Sequence, residues 1–376
     1  MKKLKTTRIQ RATQMMVPGL LAFFMMACSK QVDQPAQMIS QPVKAAEIKT
    51  VNGLQLNQSD LVLLQNNADK PAISASWVPG STGATNVKYT LEIAVDGTNF
   101  DEPFVLGTTD MTNITFTTGA LNQTLCQLVH PGTKAKFDLR IKAEFPNTNN
   151  AVQYSNAVAV DVTTFQYYIE YKYPQFIKVP GNYQGWNLTN APQLVSAQNN
   201  GIYEGYINFT NAYPQLLLVK GTEYTKTNTF SYIGKDKIGF GGTILSVFGG
   251  AGIYRVTVDL NTNTWKYTKV TTLGLHGTAV TAGGENDQVM NFDPATLTYQ
   301  INTNLQKGDF RFRVNNQDAG SIGEIKAAGY EMPAENGSNF TIEKPGNYTL
   351  TLDLKAAGNY VASVIRNVNN NAVNGK

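Results

Sequence analysis

A nine-residue segment that occurs twice is the feature that most constrains the fold of this chain. Residues 252–260, GIYRVTVDL, return as residues 346–354, GNYTLTLDL, with five of nine positions identical. Polar and apolar residues alternate in both copies, which is the pattern of a half-buried β-strand. The offset of 94 residues fits a small β-sandwich and is too long for one unit of a solenoid. The sequence therefore predicts two related β-modules in tandem.

The first 27 residues have the pattern of a bacterial export signal. Five basic residues and no acidic residue precede an apolar stretch, Met15 to Met26, which is too short to span a bilayer. The stretch is followed by Ala27 and Cys28, and a small residue before a cysteine is typical of signals whose cysteine becomes acylated. We expect a lipoprotein signal peptide over residues 1–27 and a lipid on Cys28. The alternative is a cleaved signal with an incidental cysteine.

The charge of the chain changes if this segment is removed. The formal net charge is +4, from 31 Lys and Arg against 27 Asp and Glu. Five of the basic residues lie in the first 27 positions, so the remainder has 26 basic and 27 acidic side chains. This near-neutral balance gives no charge argument for a nucleic-acid partner.

The two cysteines do not predict a disulfide. If Cys28 carries lipid, Cys126 has no partner and is interpreted as a small buried hydrophobic residue. Residues 28–45 are rich in Gln, Pro, Ala and Ser and predict a flexible tether. No later stretch is long and apolar enough to cross a membrane, so we expect attachment through acyl chains only.

Alternating polar and apolar residues continue beyond the tether and predict an all-β fold. Residues 89–95 and 137–143 both alternate in this way. Trp77 ends an early strand, where immunoglobulin-like sandwiches often place a core aromatic residue. We therefore expect an immunoglobulin-like sandwich of the fibronectin III type over residues 46–164, the first module.

Two further β-sandwiches are predicted around the repeated segment. The middle module covers residues 165–270, and the last module covers residues 271–366. Each is long enough to form its own core. Residues 367–376 are rich in Asn and are predicted to be a frayed tail.

Patterns typical of catalytic and metal sites are weak. His130 and His276 fall in different modules, and neither has a companion at metal-ligand spacing. No nucleophile elbow, zinc-protease or P-loop motif occurs. Asp287, Asp293 and Asp309 are carboxylates of the kind that a glycosidase uses in pairs, but scattered acids are typical of solvated loops. We therefore expect no enzyme activity, no metal and no cofactor.

Aromatic side chains are the stronger indication of function. The chain has 18 Tyr, 17 Phe and 3 Trp. The C–H face of a sugar ring packs on an aromatic ring, while its hydroxyl groups bond to basic and amide side chains. Trp186 lies in a polar, glycine-rich loop, VPGNYQGWN, at residues 179–187. Two interpretations are open: an exposed ring that stacks on sugar, or a lid folded onto its own sandwich.

Other residues of the middle module are weaker candidates. Lys220 ends an apolar strand, and Tyr224 and Tyr232 follow in a polar stretch. Ordinary surface positions are the alternative for all three. Trp265 shares a strand face with Tyr267 and is expected in the core or on the sheet face.

In the last module, two arginines alternate with two phenylalanines. Arg311 and Arg313 are expected side by side on the solvent face, with Asn315 beyond them. Guanidinium groups provide several donors for hydroxyl groups. A charged sheet face without ligand is the alternative.

With these motifs in view, the chain resembles the SusE/SusF family of outer-membrane, starch-binding lipoproteins. The resemblance covers nearly the whole chain beyond the signal. It is carried by GLQLN at 53–57, LVLL at 61–64, VPGNYQGW at 179–186, GIYEGY at 201–206 and GDFRFRVNN at 308–316.

The resemblance implies a non-catalytic glycan-binding lipoprotein on the cell exterior. An immunoglobulin-like domain would be followed by two carbohydrate-binding-module-like β-sandwiches. These would hold starch-like or other polysaccharide near a TonB-dependent importer and its partner surface lipoprotein. The alternative is a structural or accessory subunit of the import complex with weak or no glycan binding. The site residues that transfer are Trp186, Lys220, Tyr224, Arg311, Arg313 and Asn315.

The last module and the segment after Cys28 depart from the family pattern. Residues 282–287 and 315–318 contain no aromatic residue where family members often have tryptophan. The site of the last module is then lost or reshaped for another glycan. The SKQVD sequence after Cys28 is a sparse version of the acidic stretch linked to surface export, so a periplasm-facing anchor is the alternative.

Overall fold

A computed structural model describes residues 51–79, 86–146, 151–280, 287–327 and 330–367. These residues belong to one compact unit, residues 46–376. The predicted signal peptide, Cys28 and most of the tail lie outside the described residues, as does the tether.

The predicted all-β fold class is confirmed. Most of the described residues lie in strands, and their buried apolar side chains form three clusters. One cluster lies in each predicted module, with two exceptions. Phe165, at the start of the predicted middle module, packs in the cluster of the first module, and Tyr206 packs in the cluster of the last module. The bounds of the predicted domains stay a prediction.

The first module is built from two sheets and one short helix. Its elements are β1 (Asn52–Leu56), β2 (Asp60–Val62), β3 (Pro71–Val78), β4 (Lys88–Val95), β5 (Phe104–Thr109), β6 (Asn113–Thr117), α1 (Thr118–Leu125), β7 (Lys134–Phe145), β8 (Ala151–Tyr154) and β9 (Val158–Thr163), with a 3-10 turn at Gln65–Asn67.

The alternation of apolar and polar residues along the strands of the first module decides which side chains fill its core. A sheet of order β1-β3-β6 faces a sheet of order β2-β9-β7-β4-β5, with β8 paired to β7. Phe137, Leu139 and Ile141 on β7 are all fully buried, as period-two patterning requires. Trp77 is a core residue as expected, and its ring meets Tyr89 edge-on at 5.4 Å between centroids.

The middle module contains ten strands. They are β10 (Phe176–Lys178), β11 (Gln193–Val195), β12 (Ile202–Phe209), β13 (Gln215–Leu216), β14 (Leu218–Lys220), β15 (Thr229–Gly234), β16 (Lys237–Gly239), β17 (Leu245–Ser246), β18 (Gly252–Asp259) and β19 (Thr264–Lys269), with a 3-10 turn at Asn182–Gln184.

Eight strands of the middle module close into a ring. The hydrogen-bonded order is β10-β11-β12-β18-β19-β16-β15-β14, and β13 pairs separately with β17 as a short two-stranded ribbon. The closed ring leaves no long unpaired edge in this part of the module. Trp265 lies in its core at 5% exposure, which agrees with the sequence-based interpretation.

The last module also contains ten strands in the described ranges. They are β20 (Leu273–His276), β21 (Gln288–Val289), β22 (Asn291–Asp293), β23 (Thr298–Leu305), β24 (Gly308–Val314), β25 (Gln317–Ala327), β26 (Tyr330–Glu335), β27 (Phe340–Ile342), β28 (Gly346–Asp353) and β29 (Val361–Arg366). One sheet has the order β21-β20-β24-β25-β26, with β27 on β24, and the other has the order β22-β23-β28-β29.

The repeated segment forms the same strand in both modules. It is β18 in the middle module and β28 in the last, and the two strands have the same sequence of buried and half-buried positions. Each is paired on both sides, β18 between β12 and β19, and β28 between β23 and β29. The repeated sequence therefore forms an inner strand at the same position in both modules.

A buried polar cluster joins the middle and last modules. Tyr360 of the last module donates to both carboxylate oxygens of Glu204 on β12, at 2.9 Å each. Arg255 on β18 forms a two-bond ion pair with Glu335 of the last module. Tyr206 also donates to Glu335, at 3.1 Å. These bonds satisfy polar groups that would otherwise be costly to bury between two modules.

Candidate functional site

The loop that carries Trp186 has an unusual backbone conformation. It follows β10 and turns through the 3-10 segment at Asn182–Gln184. Gly185 has φ of +70° and Trp186 has φ of +59°, so both lie in the left-handed region. Glycine adopts this region without steric cost, whereas a residue with a side chain loses about 1–2 kcal/mol there. A large aromatic residue in such a conformation is an observation that points to function.

Hydrogen bonds hold this backbone in place. The Trp186 amide donates to the Gly181 carbonyl at 2.8 Å. Gln184 and Asn187 are joined by two hydrogen bonds. The Gln184 side-chain Nε2 donates to the Asn187 backbone carbonyl, and its Oε1 accepts from the Asn187 backbone amide. The Tyr224 hydroxyl donates to the Trp186 carbonyl at 2.9 Å. These contacts hold the backbone at Trp186, whose side chain is partly exposed.

The structure brings Trp186 and Tyr224 together and places the other two middle-module candidates elsewhere. Tyr224 is 45% exposed, and burial of part of its ring raises the pKa of its hydroxyl. The Lys220 ammonium lies 5.1 Å from the ring centroid of Phe230, a cation–π distance. Tyr232 lies on β15 with its backbone bonded to Thr243 and its side chain 41% exposed. Trp186 and Tyr224 therefore lie together on one part of the surface, which we call the Trp186 surface.

Two exposed aromatic residues beside this loop were missed by the sequence interpretation. Tyr213 is 83% exposed and Phe248 is 78% exposed. Asn182, in the Trp186 loop, donates to the Tyr213 carbonyl at 2.9 Å. Both residues flank very short strands, β13 and β17, whose two-residue length gives no alternation to detect.

The arginines of the last module differ in exposure. Phe310 and Phe312 are fully buried as predicted, but the expectation that Arg313 lies on the solvent face is wrong, because it is only 7% exposed. Its guanidinium bonds to the Asp287 carboxylate, with Nη2 at 2.7 Å from Oδ1, and Nη1 donates to Asp318 at 3.1 Å. Arg311 is half-buried and donates to Asn339 and Ser321. This sheet face is therefore extensively bonded within the protein.

Asn315 makes contacts at the junction between the middle and last modules. Its Oδ1 accepts hydrogen bonds from the Thr271 amide, the Thr271 hydroxyl and the Thr272 amide, at 2.8, 2.9 and 3.1 Å. Its Nδ2 donates to the Lys269 carbonyl at 2.8 Å. These four bonds give Asn315 a structural role, and its predicted role in glycan binding stays a prediction.

The three carboxylates considered for catalysis have separate partners. Asp287 bonds to Arg313 and lies 3.3 Å from Nδ1 of His276. Asp293 accepts from a neighbouring threonine in a turn, which lowers its pKa. Asp309 accepts from Thr341. Within the described ranges, no group of three or more His, Cys, Asp or Glu residues is placed to hold a metal ion.

A cleft lies between the first and last modules. Its volume is about 1030 Å³, and its lining includes Cys126, Phe165, Tyr348 and Arg366. Glu102 and Arg366 form an ion pair across it. Burial raises the pKa of the Cys126 thiol to about 12. The aromatic lining residues of this cleft are buried or partly exposed, and none is as exposed as Tyr224.

Comparison with known proteins shows which family part of this chain is similar to. Residues 39–142 match the model of a family described as SusE outer membrane protein. A solved structure, SusF from Bacteroides thetaiotaomicron, is 12% identical over 84% of this chain and 76% of that chain. Its TM-score of 0.26 is too low to support an inference. No curated protein matches the sequence.

The family match concerns the first module and the end of the tether. It does not extend to Trp186, to Arg311 and Arg313, or to the repeated strand. In the parts of the chain that the structure describes, no helix has the length and apolar character needed to cross a membrane. The match over residues 39–142 confirms that the chain resembles the SusE/SusF family, as its motifs indicate.

Proposed function

We propose that this chain is a non-catalytic glycan-binding lipoprotein of the outer membrane. The proposal is supported by the family match over residues 39–142 and by the geometry of the middle module. The single observation that carries it is Trp186, a partly exposed indole held at φ +59° by bonds to its backbone. The lipid is assigned to Cys28, and the exterior face of the membrane is the proposed orientation.

The physical basis of binding is stacking on an aromatic ring carried by an ordered backbone. A sugar ring gains contact area and loses water when its C–H face packs on an indole. Because the Trp186 backbone is already ordered by Gly181 and Tyr224, little further conformational entropy is lost on binding. Lys220 and Tyr232, which lie away from Trp186 and Tyr224, stay proposed glycan-binding residues of the middle module.

The proposed role is to retain polysaccharide near an import complex. Partners are a starch-like or other polysaccharide, a TonB-dependent importer and its partner surface lipoprotein. An anchored chain with more than one weak site holds a polymer better than a single site does. A second site is proposed in the last module at Arg311, Arg313 and Asn315. Their bonds within the protein reduce the number of donors and acceptors left for a glycan.

Those internal bonds favour a second candidate function. Arg313 and Asn315 use most of their donors and acceptors on Asp287, Asp318, Thr271 and Lys269. A chain whose last module has lost its ligand would act as a structural or accessory subunit of the complex. Co-purification with an importer, without retention by any glycan, would support this alternative.

Affinity electrophoresis tests the main proposal. The full mature chain is run through native gels that contain starch, xylan, pectin, laminarin, alginate or yeast mannan. We expect retardation by at least one glycan and its loss in Trp186→Ala. Tyr168→Ala is the matched control, since Tyr168 is 53% exposed and its backbone is held by the Gln65 side chain. If no glycan retards the wild-type chain, the proposal fails.

A further inference from the structure

The two most exposed large hydrophobic side chains of the described residues lie opposite each other. Tyr213 is 83% exposed and Phe248 is 78% exposed. Together we call them the 213/248 pair. Two large aromatic side chains this exposed, on neighbouring chain segments, are unusual on a surface unless they meet a ligand or partner.

Strand register places these residues in one pair. In the β13–β17 ribbon, Gln215 lies opposite Ser246 and Leu216 opposite Leu245. The Val247 amide donates to the Pro214 carbonyl at 2.9 Å, which continues the register by one position. The next position sets Tyr213 against Phe248.

Burial along the ribbon follows the same register. Leu216 and Leu245 are fully buried, and Val247 is 2% exposed, so these residues face the core. Gln215 and Ser246 are more accessible than the buried positions on either side, and the 213/248 pair continues on their face. Successive side chains on a strand point to opposite faces. The two rings therefore share the solvent face of the ribbon.

The backbone on both sides of the pair is bonded. The Asn182 side chain donates to the Tyr213 carbonyl at 2.9 Å. The Phe248 amide donates to the Tyr267 hydroxyl at 3.2 Å. Both bonds lead away from the ribbon, as expected at a position of the ladder where two opposed residues do not bond to each other. The side chains at such positions lie closest together.

Polar groups suited to hydroxyl groups lie on the same face. Gln215 is exposed, and its backbone amide donates to Asn182 at 3.0 Å. Among the described residues, no hydrogen bond is made by the Gln215 side-chain amide or the Ser246 hydroxyl. An amide and a hydroxyl next to two rings form the combination of stacking and hydrogen-bonding groups that a saccharide requires.

The pair is next to the Trp186 loop. Gly181 forms an isolated bridge with Leu216, so the chain leading into the loop lies beside β13. From Gly181 across β13 to β17 is two strand spacings, about 10 Å. Asn182, in the loop that carries Trp186, bonds to both Tyr213 and Gln215, so this loop and the 213/248 pair are direct neighbours.

We propose that the 213/248 pair is a second stacking surface for the glycan chain that Trp186 binds. This inference rests on the proposed function of the middle module. The ligand is then an internal run of several sugar units, and not a single terminal residue. Each added unit that reaches the second surface increases contact without a new cost of association.

The test uses the glycan that retards the wild-type chain most strongly in the panel above, cut to oligosaccharides of increasing length. Affinities are measured by calorimetry for wild type, Tyr213→Ala, Phe248→Ala and Trp186→Ala. We expect the Tyr213 and Phe248 variants to lose about five- to tenfold in affinity for the longest chains and to bind the shortest as wild type does. Trp186→Ala should weaken binding at every length.

Controls separate this inference from the proposed function. Phe292→Ala removes an exposed ring of the last module (40% exposed) and should leave every affinity unchanged. If an alanine variant fails to fold, Tyr213→Thr and Phe248→Thr keep strand propensity without the ring. Wild-type affinity of both variants at every length, or equal weakening at every length, overturns the inference while Trp186 still binds. Absence of any binding by the wild-type chain overturns both.

Discussion

Tyr254 and Tyr348, at the same position of the two repeated strands, make the same hydrogen bond. Each hydroxyl donates to the carbonyl four residues earlier, Tyr254 to Gly250 at 2.8 Å and Tyr348 to Lys344 at 2.7 Å. Both rings are nearly buried. A tyrosine that ties its own strand to the preceding corner is a known device of β-sandwiches.

Removing either hydroxyl should destabilise its module by a similar amount. Tyr254→Phe and Tyr348→Phe each leave a carbonyl without its donor, and we expect a loss of about 1 kcal/mol in the free energy of unfolding. Denaturant unfolding measures this change. Tyr232→Phe is the control, because that ring is 41% exposed. Unchanged midpoints in both variants would show that the shared bond is incidental.

The buried carboxyl of Glu204, close to the Glu335 carboxylate, predicts a pH dependence of stability. The pKa of Glu204 is raised, first because burial disfavours its charged form and second because the Glu335 carboxylate lies nearby. A carboxyl with a raised folded pKa stabilises the fold below its unfolded pKa of about 4.3 and loses this contribution as pH rises through the folded value. This contribution should therefore fall as pH rises from the unfolded pKa to the folded pKa, and it stays lost above the folded value.

The variant Glu204→Gln tests this dependence. It keeps the shape of the neutral acid, so its unfolding midpoint should fall less than that of wild type as pH rises above about 4.3. Glu343→Gln is the control, since Glu343 is in an exposed ion pair with Lys307. The same pH profile in wild type and Glu204→Gln would contradict the assignment.

The ion pair of Arg313 predicts a large effect on folding. Arg313→Ala leaves the Asp287 carboxylate, 1% exposed, without its main counter-ion. Breaking a buried pair from one side costs about 3–5 kcal/mol. Thermal unfolding followed by circular dichroism should show a much larger loss for Arg313→Ala than for half-buried Arg311→Ala. Equal, small losses of thermal stability in both variants would instead support the expectation that both arginines face solvent.

Asn315 should control the rigidity of the junction between the middle and last modules. Asn315→Ala removes four hydrogen bonds and places alanine at φ +53°, and we expect about 1–3 kcal/mol of destabilisation. Limited proteolysis should cut faster near residues 269–272. Asn315→Asp keeps the accepting oxygen and should retain most of the protection. Equal cleavage of wild type and Asn315→Ala would exclude this role.

Period-two patterns were sufficient to predict much of the fold. The strand at β7 and the repeated strands β18 and β28 were evident because each is long and buried on one face. The helix α1 was not predicted, since its eight residues are too few to show a helical period. Closure of the middle module into a ring depends on pairings between distant strands, which no local pattern encodes.

The candidate site was predictable only in part. The glycine-rich loop marked Trp186, but the partner that fixes it, Tyr224, lies 38 residues away in sequence. Arg313 alternated correctly with buried phenylalanines, yet its exposure was decided by Asp287, 26 residues distant. Tyr213 and Phe248 are brought near each other by the pairing of two strands of two residues each. In each case the tertiary contact, which a sequence pattern does not contain, determines the role of the side chain.

Intrinsic fluorescence measured during a glycan titration tests the central claim most directly. Trp77 and Trp265 are 6% and 5% exposed, so Trp186 is the tryptophan that a ligand in solution would contact. We predict a saturable change in tryptophan emission on addition of the retarding polysaccharide, and no such change in Trp186→Phe. An identical change in Trp186→Phe, or no change with any glycan of the panel, would contradict the account.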